Sequence, residues 1–340
     1  MIEVEHLSKS YGSTTAIEDV TFAVEPGEIL GFLGPNGAGK TTTMRILTGY
    51  LPASAGTAKV AGFEVHENSM AVRQRIGYLP ESPPLYPEMT IEGFLHFVAR
   101  IKGVSAGDRA ERVQIALERC GLSDRPKTMI RKLSKGYRQR VGIAQAIVHD
   151  PPVIVLDEPT VGLDPRQIIE VRNLIKNLAG DHTVILSTHI LPEVSMTCSR
   201  VAIINKGKIV ATNSPDALMT DLMGGDGYNI ELEGDVTDLL PLLSKLPGVK
   251  SLEAATAAVP EGRSQWHVFT QPGVDIGRTL AATIVGAGVG LYEMRRVRAS
   301  LEDVFLQLTT AESTEAESTD SVPLDAEPEA SDAEPTAGET

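Results

Sequence analysis

The feature that most constrains the fold is a glycine-rich loop placed between an apolar, strand-like run, Ile29–Leu33, and a helical pattern. It satisfies G-x-x-x-x-G-K-[ST] and reads Gly34-Pro35-Asn36-Gly37-Ala38-Gly39-Lys40-Thr41-Thr42. Glycines let backbone N–H groups close around phosphates, and the following helix adds its positive N-terminal end. Lys40 is expected to reach the β and γ phosphate oxygens, and the Thr41 hydroxyl to ligate Mg²⁺. The loop therefore predicts a nucleoside triphosphate site and excludes the dinucleotide fingerprint G-x-G-x-x-G.

Two acids follow another apolar run, Val153–Leu156, at the point where a strand is expected to end. Ligands of open α/β sheets bind beyond the carboxyl ends of the strands. Asp157 is expected to hold the Mg²⁺ shell, while Glu158 orients and deprotonates the attacking water. Alone, this pattern fits an ordinary solvated strand end equally well. Together with the glycine-rich loop, it predicts the second half of a nucleotide site.

Alternating strand and helix patterns predict an α/β fold, in which helices wrap a sheet. Further buried-strand patterns occur at 76–79, 183–187 and 201–204, with helical periodicity between them. Between Pro87 and Asp150 only helical patterns occur, which predicts a helical insertion. We therefore expect a first domain at 1–222 with a helical subdomain at about 87–150.

In the C-terminal part, the strand and helix patterns follow the order βαββαβ. This order predicts a small α+β, ferredoxin-like domain at 226–308. Pro241 disfavours the first helix, expected at about Val236–Leu246. Ser300 and Asp303 resemble a capping box that opens a short helix, Leu301–Leu308. Four strands are predicted near 228–232, 249–252, 266–270 and 291–297, and the second helix near 276–285.

The acidic charge is concentrated at the C-terminus. Residues 311–340 hold ten acids and no Lys or Arg, so the net charge of −14 leaves −4 for the rest. This composition predicts a disordered tail, for which a passive solubilising role is favoured over dimer regulation. A mildly acidic folded part disfavours nucleic-acid binding. Cys120 and Cys198 are isolated, which excludes a disulfide framework or zinc site and leaves them as apolar fillers.

Neither a membrane span nor an export signal is indicated by the pattern of apolar residues. No run of about 18 uncharged apolar residues occurs, so no transmembrane helix is expected. The N-terminus has no basic region followed by an apolar one, which predicts a cytosolic protein.

The segment Leu133-Ser134-Lys135-Gly136-Tyr137, ahead of a helical run, resembles the L-S-G-G-Q signature of the ATP-binding cassette (ABC) family. Lys135 replaces a glycine and Tyr137 the glutamine, while Ser134 and Gly136 are kept. The resemblance implies that the signature reaches the γ-phosphate of ATP bound to a second subunit, so that dimerisation completes each site. Ser134 also fits a simple helix N-cap.

Other positions resemble the family in order and spacing. The resemblance makes Tyr11 the base-stacking aromatic, Gly162-Leu163-Asp164 the D-loop, and His189 a switch that hydrogen-bonds the γ-phosphate or the water at Glu158. Alone, such a Tyr or His is usually structural. Glu81 stands where the family has a glutamine that touches Mg²⁺. We expect Glu81 to ligate Mg²⁺ and hydrolysis to persist with altered metal dependence.

The resemblance covers residues 1–220 closely and reaches about 308 through Ser300–Phe305, which looks like the ending of ABC-2-type exporter ATPases. The segments 78–81, 85–87 and 187–191 look most like gliding-motility-associated ATPases. The resemblance implies a P-loop ABC cassette with a mixed sheet, which hydrolyses ATP with Mg²⁺. It also implies pairing with a second ABC subunit under separate permease subunits at the cytoplasmic face of the membrane.

Two other functions were weighed against the transporter ATPase. A soluble cassette ATPase of a non-transport complex is disfavoured because long heptads are absent and only one phosphate loop is present. A non-enzymatic regulatory subunit is disfavoured because Glu158 is intact.

Overall fold

The structure, a computed structural model, describes residues 1–223, 227–234, 236–255, 260, 262–271, 274–297 and 305. The predicted acidic tail at 311–340 lies outside these residues. So does the predicted capping-box helix, apart from Phe305, whose side chain packs against the hydrophobic core under the helices of the first 222 residues.

Strands and helices alternate through most of the chain, as the apolar patterns predict. In chain order they are β1 (Ile2–Tyr11), β2 (Thr14–Val24), β3 (Ile29–Leu33), α1 (Lys40–Leu47), β4 (Ala55–Val60), β5 (Phe63–Glu64), α2 (Ser69–Arg75), β6 (Ile76–Leu79), α3 (Ile91–Ile101), α4 (Arg109–Arg119), a 3₁₀ turn (Ile130–Lys132), α5 (Lys135–Ile147), β7 (Val153–Asp157), α6 (Pro165–Lys176), β8 (Thr183–Thr188), α7 (Leu191–Thr197), β9 (Arg200–Asn205), β10 (Lys208–Asn213), α8 (Pro215–Met223), β11 (Gly227–Glu233), α9 (Leu239–Ser244), β12 (Val249–Ala254), β13 (Arg263–Thr270), α10 (Gly277–Gly286) and β14 (Gly290–Val297).

A six-stranded sheet in the order β10-β9-β3-β8-β7-β6 forms the centre of the N-terminal part. Its strands pair in parallel, except for the antiparallel β9–β10 pair at one edge. Every residue of β3, β7 and β8 is buried, which explains their continuous apolar runs. Register places Leu33 beside Thr188 and Asp157 beside Ser187. The segments that follow β3, β7 and β8 therefore leave the sheet at one edge.

A second, antiparallel sheet has the order β2-β1-β4-β5 and packs its apolar face on the central sheet. The strands β4 and β5 were not predicted. Of the six residues of β4, only Ala58 and Val60 are buried, so the strand has no long apolar run to detect. It forms because β1 supplies a long antiparallel partner, with Ile2 opposite Val60.

Between Pro87 and Asp150 the structure contains α3, α4, the 3₁₀ turn and α5, together with an isolated bridge between Thr90 and Met129. Thr90 caps α3 by accepting a hydrogen bond from the N–H of Gly93 at 3.1 Å. The buried faces of these helices share a core with the central sheet, in which Phe94 and Ile143 belong to the same apolar cluster as Leu79. The start of α5 is thereby fixed relative to the sheet.

The C-terminal part forms its own four-stranded antiparallel sheet in the order β12-β13-β11-β14. Helices α9 and α10 cover one face, where Ile230 and Leu232 pack with Leu243 and Leu280. The predicted first helix was too long, because α9 begins at Leu239 rather than Val236 and ends at Ser244. Pro241 lies in its first turn, where the missing N–H of proline costs no helical hydrogen bond.

Candidate nucleotide site

A cavity of about 380 Å³ lies where the loops after β3, β6, β7 and β8 meet. Ala16 and Val161 also line it, although neither was predicted. Gly39 is needed at its position, because its φ is +106° and a Cβ there would lie 2.7 Å from the carbonyl oxygen of Ala16. Nine predicted site residues line the cavity: Asn36, Gly37, Gly39, Lys40, Thr41, Thr42, Glu81, Glu158 and His189.

The Lys40 ammonium is held at the bottom of the loop and is only 6% exposed. Its Nζ donates to the carbonyl oxygens of Gly34 at 2.8 Å and Pro35 at 3.1 Å. It also lies 3.4 Å from Oε1 of Glu158. The predicted residues Gly34 and Pro35 therefore act through their backbone, and they fix a buried positive charge at the cavity. Such a charge suits phosphate oxygens.

Asp157 is fully buried at the end of β7. Its Oδ1 accepts from the hydroxyl of Ser187 at 2.5 Å and from that of Thr41 at 3.4 Å. Burial raises the pKa of Asp157, and the two hydroxyls oppose that shift. Its other carboxylate oxygen is buried and has no hydrogen-bond partner. A carboxylate oxygen left in this state fits a cation that takes oxygen ligands.

The residues present suit Mg²⁺ bound together with a phosphate. Asp157 and Thr41 are already in contact, and Glu81 lines the same cavity. The described residues contain no group of three or more His, Cys, Asp or Glu side chains able to hold a metal ion alone. Mg²⁺ commonly takes one or two protein carboxylates and completes its shell with water and substrate phosphates.

Glu158 follows Asp157, and its carboxylate lies between the Lys40 ammonium and the His189 imidazole. His189 Nδ1 lies 2.8 Å from Oε2 of Glu158, opposite the contact of Oε1 with Lys40. The N–H of Glu158 donates to the carbonyl oxygen of Ser187 at 3.0 Å. The backbone φ of Glu158 is +50°, a conformation that few non-glycine residues adopt. This corner turns the carboxylate from the sheet edge into the cavity.

The predicted signature and D-loop residues lie outside the cavity wall. Ser134 caps α5 by accepting from the N–H of Tyr137 at 3.4 Å, and Asp164 caps α6 by accepting from the N–H of Gln167 at 3.0 Å. The two helix starts touch, since a Cβ on Gly136 would lie 2.5 Å from Oε1 of Gln167. Ser134 and Asp164 are both exposed, so they are available to a partner molecule.

The remaining predicted residues also lie away from the cavity wall. The Lys135 ammonium lies against Gly162, where an added Cβ would be 2.0 Å from Nζ. The guanidinium carbon of Arg125 lies over the Tyr137 ring, 4.2 Å from the ring centroid. Tyr11, 48% exposed at the end of β1, is not a cavity-lining residue. Ala38 is buried within the loop.

Ser187 is a site residue that the sequence reasoning missed. Its hydroxyl donates to Asp157 and accepts from the N–H of Glu158 at 3.2 Å, so one side chain touches both acids. The signal was present: a hydroxyl ends the apolar part of β8, and β8 pairs with the strand that carries the acids. The register of the two strands places that hydroxyl beside Asp157, and the sequence alone does not give the register.

Comparisons with known proteins agree with this geometry. The ABC transporter family model matches residues 17–161. The chain is 34% identical over 316 residues to the Nod factor export ATP-binding protein I of Ralstonia nicotianae, covering 92% of this chain and 94% of that protein. The chain belongs to the ABC transporter ATP-binding proteins. It is also 30% identical to the linearmycin resistance ATP-binding protein LnrL of Bacillus subtilis, over 91% of this chain and 98% of the relative.

A solved ATP-binding subunit of an ABC transporter shares the cassette fold, with a TM-score of 0.60, 32% identity, and coverage of 66% of this chain and 93% of that one. The predicted α/β cassette with a mixed sheet is thereby confirmed. As an ABC ATPase, the protein binds ATP with Mg²⁺ and hydrolyses it. Among the described residues, no helix is long and apolar enough to cross a membrane.

Proposed function

We propose that this ABC ATPase is the ATP-hydrolysing subunit of a multi-subunit ABC-2-type exporter, related to the gliding-motility-associated lineage. Two copies would act together at the cytoplasmic face of the membrane, driving separate permease subunits. Export is supported by the relative that acts in Nod factor export, and the second relative acts in linearmycin resistance. The observation that carries the catalytic part is the buried carboxylate of Glu158, held between Lys40 and His189 at the cavity.

In the proposed mechanism, each side chain has one task in phosphoryl transfer. Lys40 binds the β and γ phosphate oxygens, and Glu158 orients the attacking water and takes its proton. His189 holds the Glu158 carboxylate through Nδ1, which leaves its other ring nitrogen for a hydrogen bond with the γ-phosphate or with the water at Glu158. Thr41, Asp157 and Glu81 would hold Mg²⁺, which neutralises charge that develops on the phosphate oxygens.

We infer that the site is completed by a second subunit. The signature residues Ser134, Lys135, Gly136 and Tyr137 lie outside the cavity of their own chain, as does Asp164 of the D-loop, and Ser134, Lys135 and Asp164 are exposed. An exposed helix start whose own cavity lies elsewhere favours binding of a phosphate from a facing subunit. Tyr11 would stack on the adenine through its exposed ring, which has the Lys9 ammonium over it at 5.4 Å from the centroid.

The C-terminal part is proposed as a separate ferredoxin-like domain, residues 226–308. Its element order βαββαβ and its strand order β12-β13-β11-β14, with both helices on one face, support this assignment. The ATPase domain would then span 1–222, with a helical subdomain at about 87–150. Residues 311–340 are proposed as a solubilising acidic segment.

The first experiment compares the purified full chain with Glu158→Gln. Gln keeps the size of the side chain but removes the base, so we expect ATP hydrolysis to fall by at least about a hundredfold. Size-exclusion chromatography in ATP and Mg²⁺ should then show the variant as a dimer that persists. Asp181→Asn is the control for loss of a carboxylate, because Asp181 is exposed, pairs with Arg119 and does not line the cavity. Equal hydrolysis by wild type and Glu158→Gln, with no ATP-dependent dimer, would refute the assignment.

Glu81 gives a second test, because a carboxylate replaces the amide that the family carries. The negative charge at Glu81 should bind Mg²⁺ more strongly than an amide does. Glu81→Gln is therefore expected to raise the Mg²⁺ concentration for half-maximal hydrolysis by about threefold or more. Mg²⁺ titrations at saturating ATP measure this, with the exposed Glu88→Gln as control. An unchanged Mg²⁺ requirement would exclude metal contact by Glu81.

A further inference from the structure

Glu193 is a buried acid that the mechanism above does not use. It lies in the first turn of α7 and is only 3% exposed. Its Oε2 accepts a hydrogen bond from the Thr188 hydroxyl at 3.1 Å. Its Oε1 is buried without a hydrogen-bond partner. A carboxyl group is costly to bury, so a fold that keeps one here needs a reason for it.

The Thr188 hydroxyl ties Glu193 to the turn that carries His189. This hydroxyl has one proton, which it donates to Glu193, and it accepts from the N–H of Ile190 at 3.0 Å. The Thr188 hydroxyl thereby links the residues before and after His189 and holds the turn between them. Because Glu193 accepts the hydroxyl proton, it fixes the orientation in which the hydroxyl oxygen accepts from the N–H of Ile190.

The same carboxyl also faces the loop that follows Glu158. Burial raises the pKa of Glu193, and the hydroxyl of Thr160 is the foremost group that opposes the shift. Thr160 is itself buried, and its Oγ1 has no aligned hydrogen-bond partner. The charges of Glu158 and His189 also act on Glu193. Glu193 thus stands between the two loops that supply the proposed base and its histidine.

We propose that Glu193 is a positioning residue that holds His189 against Glu158 through the Thr188 hydroxyl. It sets the rate of the chemical step and leaves the affinity for ATP unchanged, since neither Glu193 nor Thr188 lines the cavity. This inference rests on the proposed roles of Glu158 and His189. An oxygen acceptor is what the geometry requires, so an amide at position 193 serves as well as a carboxylate.

The test compares kcat and KM for ATP in the full chain carrying Glu193→Ala, Glu193→Gln or Thr188→Val. We expect kcat to fall about tenfold or more in Glu193→Ala and Thr188→Val, with KM changed less than about twofold. Glu193→Gln should keep kcat within about twofold of wild type. The Glu193→Ala/Thr188→Val double variant should be no slower than the worse single variant, because both changes break the Thr188–Glu193 bond and only Thr188→Val also removes the acceptor for the N–H of Ile190.

Ser195→Ala is the matched control, since Ser195 also lies on α7 but is exposed and bonds only within its helix. Wild-type kcat in Glu193→Ala, an equal loss in Glu193→Gln, or losses that multiply in the double variant would overturn the inference. Hydrolysis by Glu158→Gln in the same series separates the two possible failures. If that variant is active, the proposed base is wrong; if only Glu193→Ala is active, the positioning role alone is wrong.

Discussion

Ser187→Ala isolates the hydrogen bond that holds the buried carboxylate of Asp157. The change removes the donor to Oδ1 of Asp157, and Thr41 at 3.4 Å is then the remaining donor. The N–H of Glu158 keeps its bond to the carbonyl oxygen of Ser187, so the main loss is one charge-assisted hydrogen bond. Such a loss costs about 2 kcal/mol in the free energy of unfolding. For a chain of 340 residues, with an unfolding entropy of about 2.1 cal/mol/K per residue, the expected fall in Tm is about 3 °C.

Thermal unfolding followed by far-UV circular dichroism measures the loss, alone and in an Asp157→Asn background. If Ser187 acts through the Asp157 carboxylate, the unfolding free energy lost in Ser187→Ala should shrink by more than half in the Asp157→Asn background. Trp266, the chain's one tryptophan, lies on β13, so its fluorescence follows the C-terminal sheet and serves as an internal control. An unfolding cost below about 0.5 kcal/mol, or the same cost in both backgrounds, would refute the reasoning.

The pH dependence of this loss has a definite sign. Burial raises the pKa of Asp157, and the Ser187 hydroxyl lowers it, so Ser187→Ala should raise that pKa further. A raised pKa in the folded state favours folding while the group is protonated, and that contribution is lost as the pH rises through the folded-state pKa. The destabilisation by Ser187→Ala should therefore be largest near neutral pH and shrink in acid.

Two further predictions concern stability away from the cavity. Burial lowers the pKa of His149 to about 4, so this group alone should lower the free energy of unfolding by about 3 kcal/mol as the pH falls from 6.5 to 4. In urea titrations over the same pH range, His149→Gln should lose less stability than wild type. An equal loss would contradict the shift. Gly77→Ala would place a Cβ 2.0 Å from the carbonyl oxygen of Ala146, so it should cost at least about 2 kcal/mol. Gly286→Ala, in α10 with open space around it, should be neutral or stabilising, and similar effects of the two would refute the steric argument.

The central sheet and the phosphate loop were predictable because their signals are local. Continuous apolar runs mark strands buried on both faces, and the G-x-x-x-x-G-K-[ST] spacing between a strand and a helix marks a phosphate-binding loop. The convergence of Lys40, Glu158 and His189 also follows from sequence, because parallel strands deliver their carboxyl ends to one edge.

What sequence did not reveal depends on pairing and register. β4 and β5 carry few buried side chains, so their pattern resembles that of a loop. The role of Ser187 depends on Asp157, 30 residues earlier in the chain, and that of Glu193 depends on Thr188, five residues earlier. Such contacts are set by strand register and folding, and the sequence pattern does not show them. The start of α9 was missed because the spacing of apolar residues does not show whether a proline lies in the first turn of a helix or in its interior.

The left-handed corner at Glu158 has a consequence for laboratory evolution. A φ of +50° costs a glutamate of order 1 kcal/mol, which glycine or asparagine avoids. Either replacement also removes the partner of the buried Lys40 ammonium, 3.4 Å away, and breaking a buried ion pair costs about 3–5 kcal/mol, more than the strain that is relieved. A thermostability screen of this protein that omits an ATPase assay should therefore keep a carboxylate at position 158 and gain stability elsewhere in the chain.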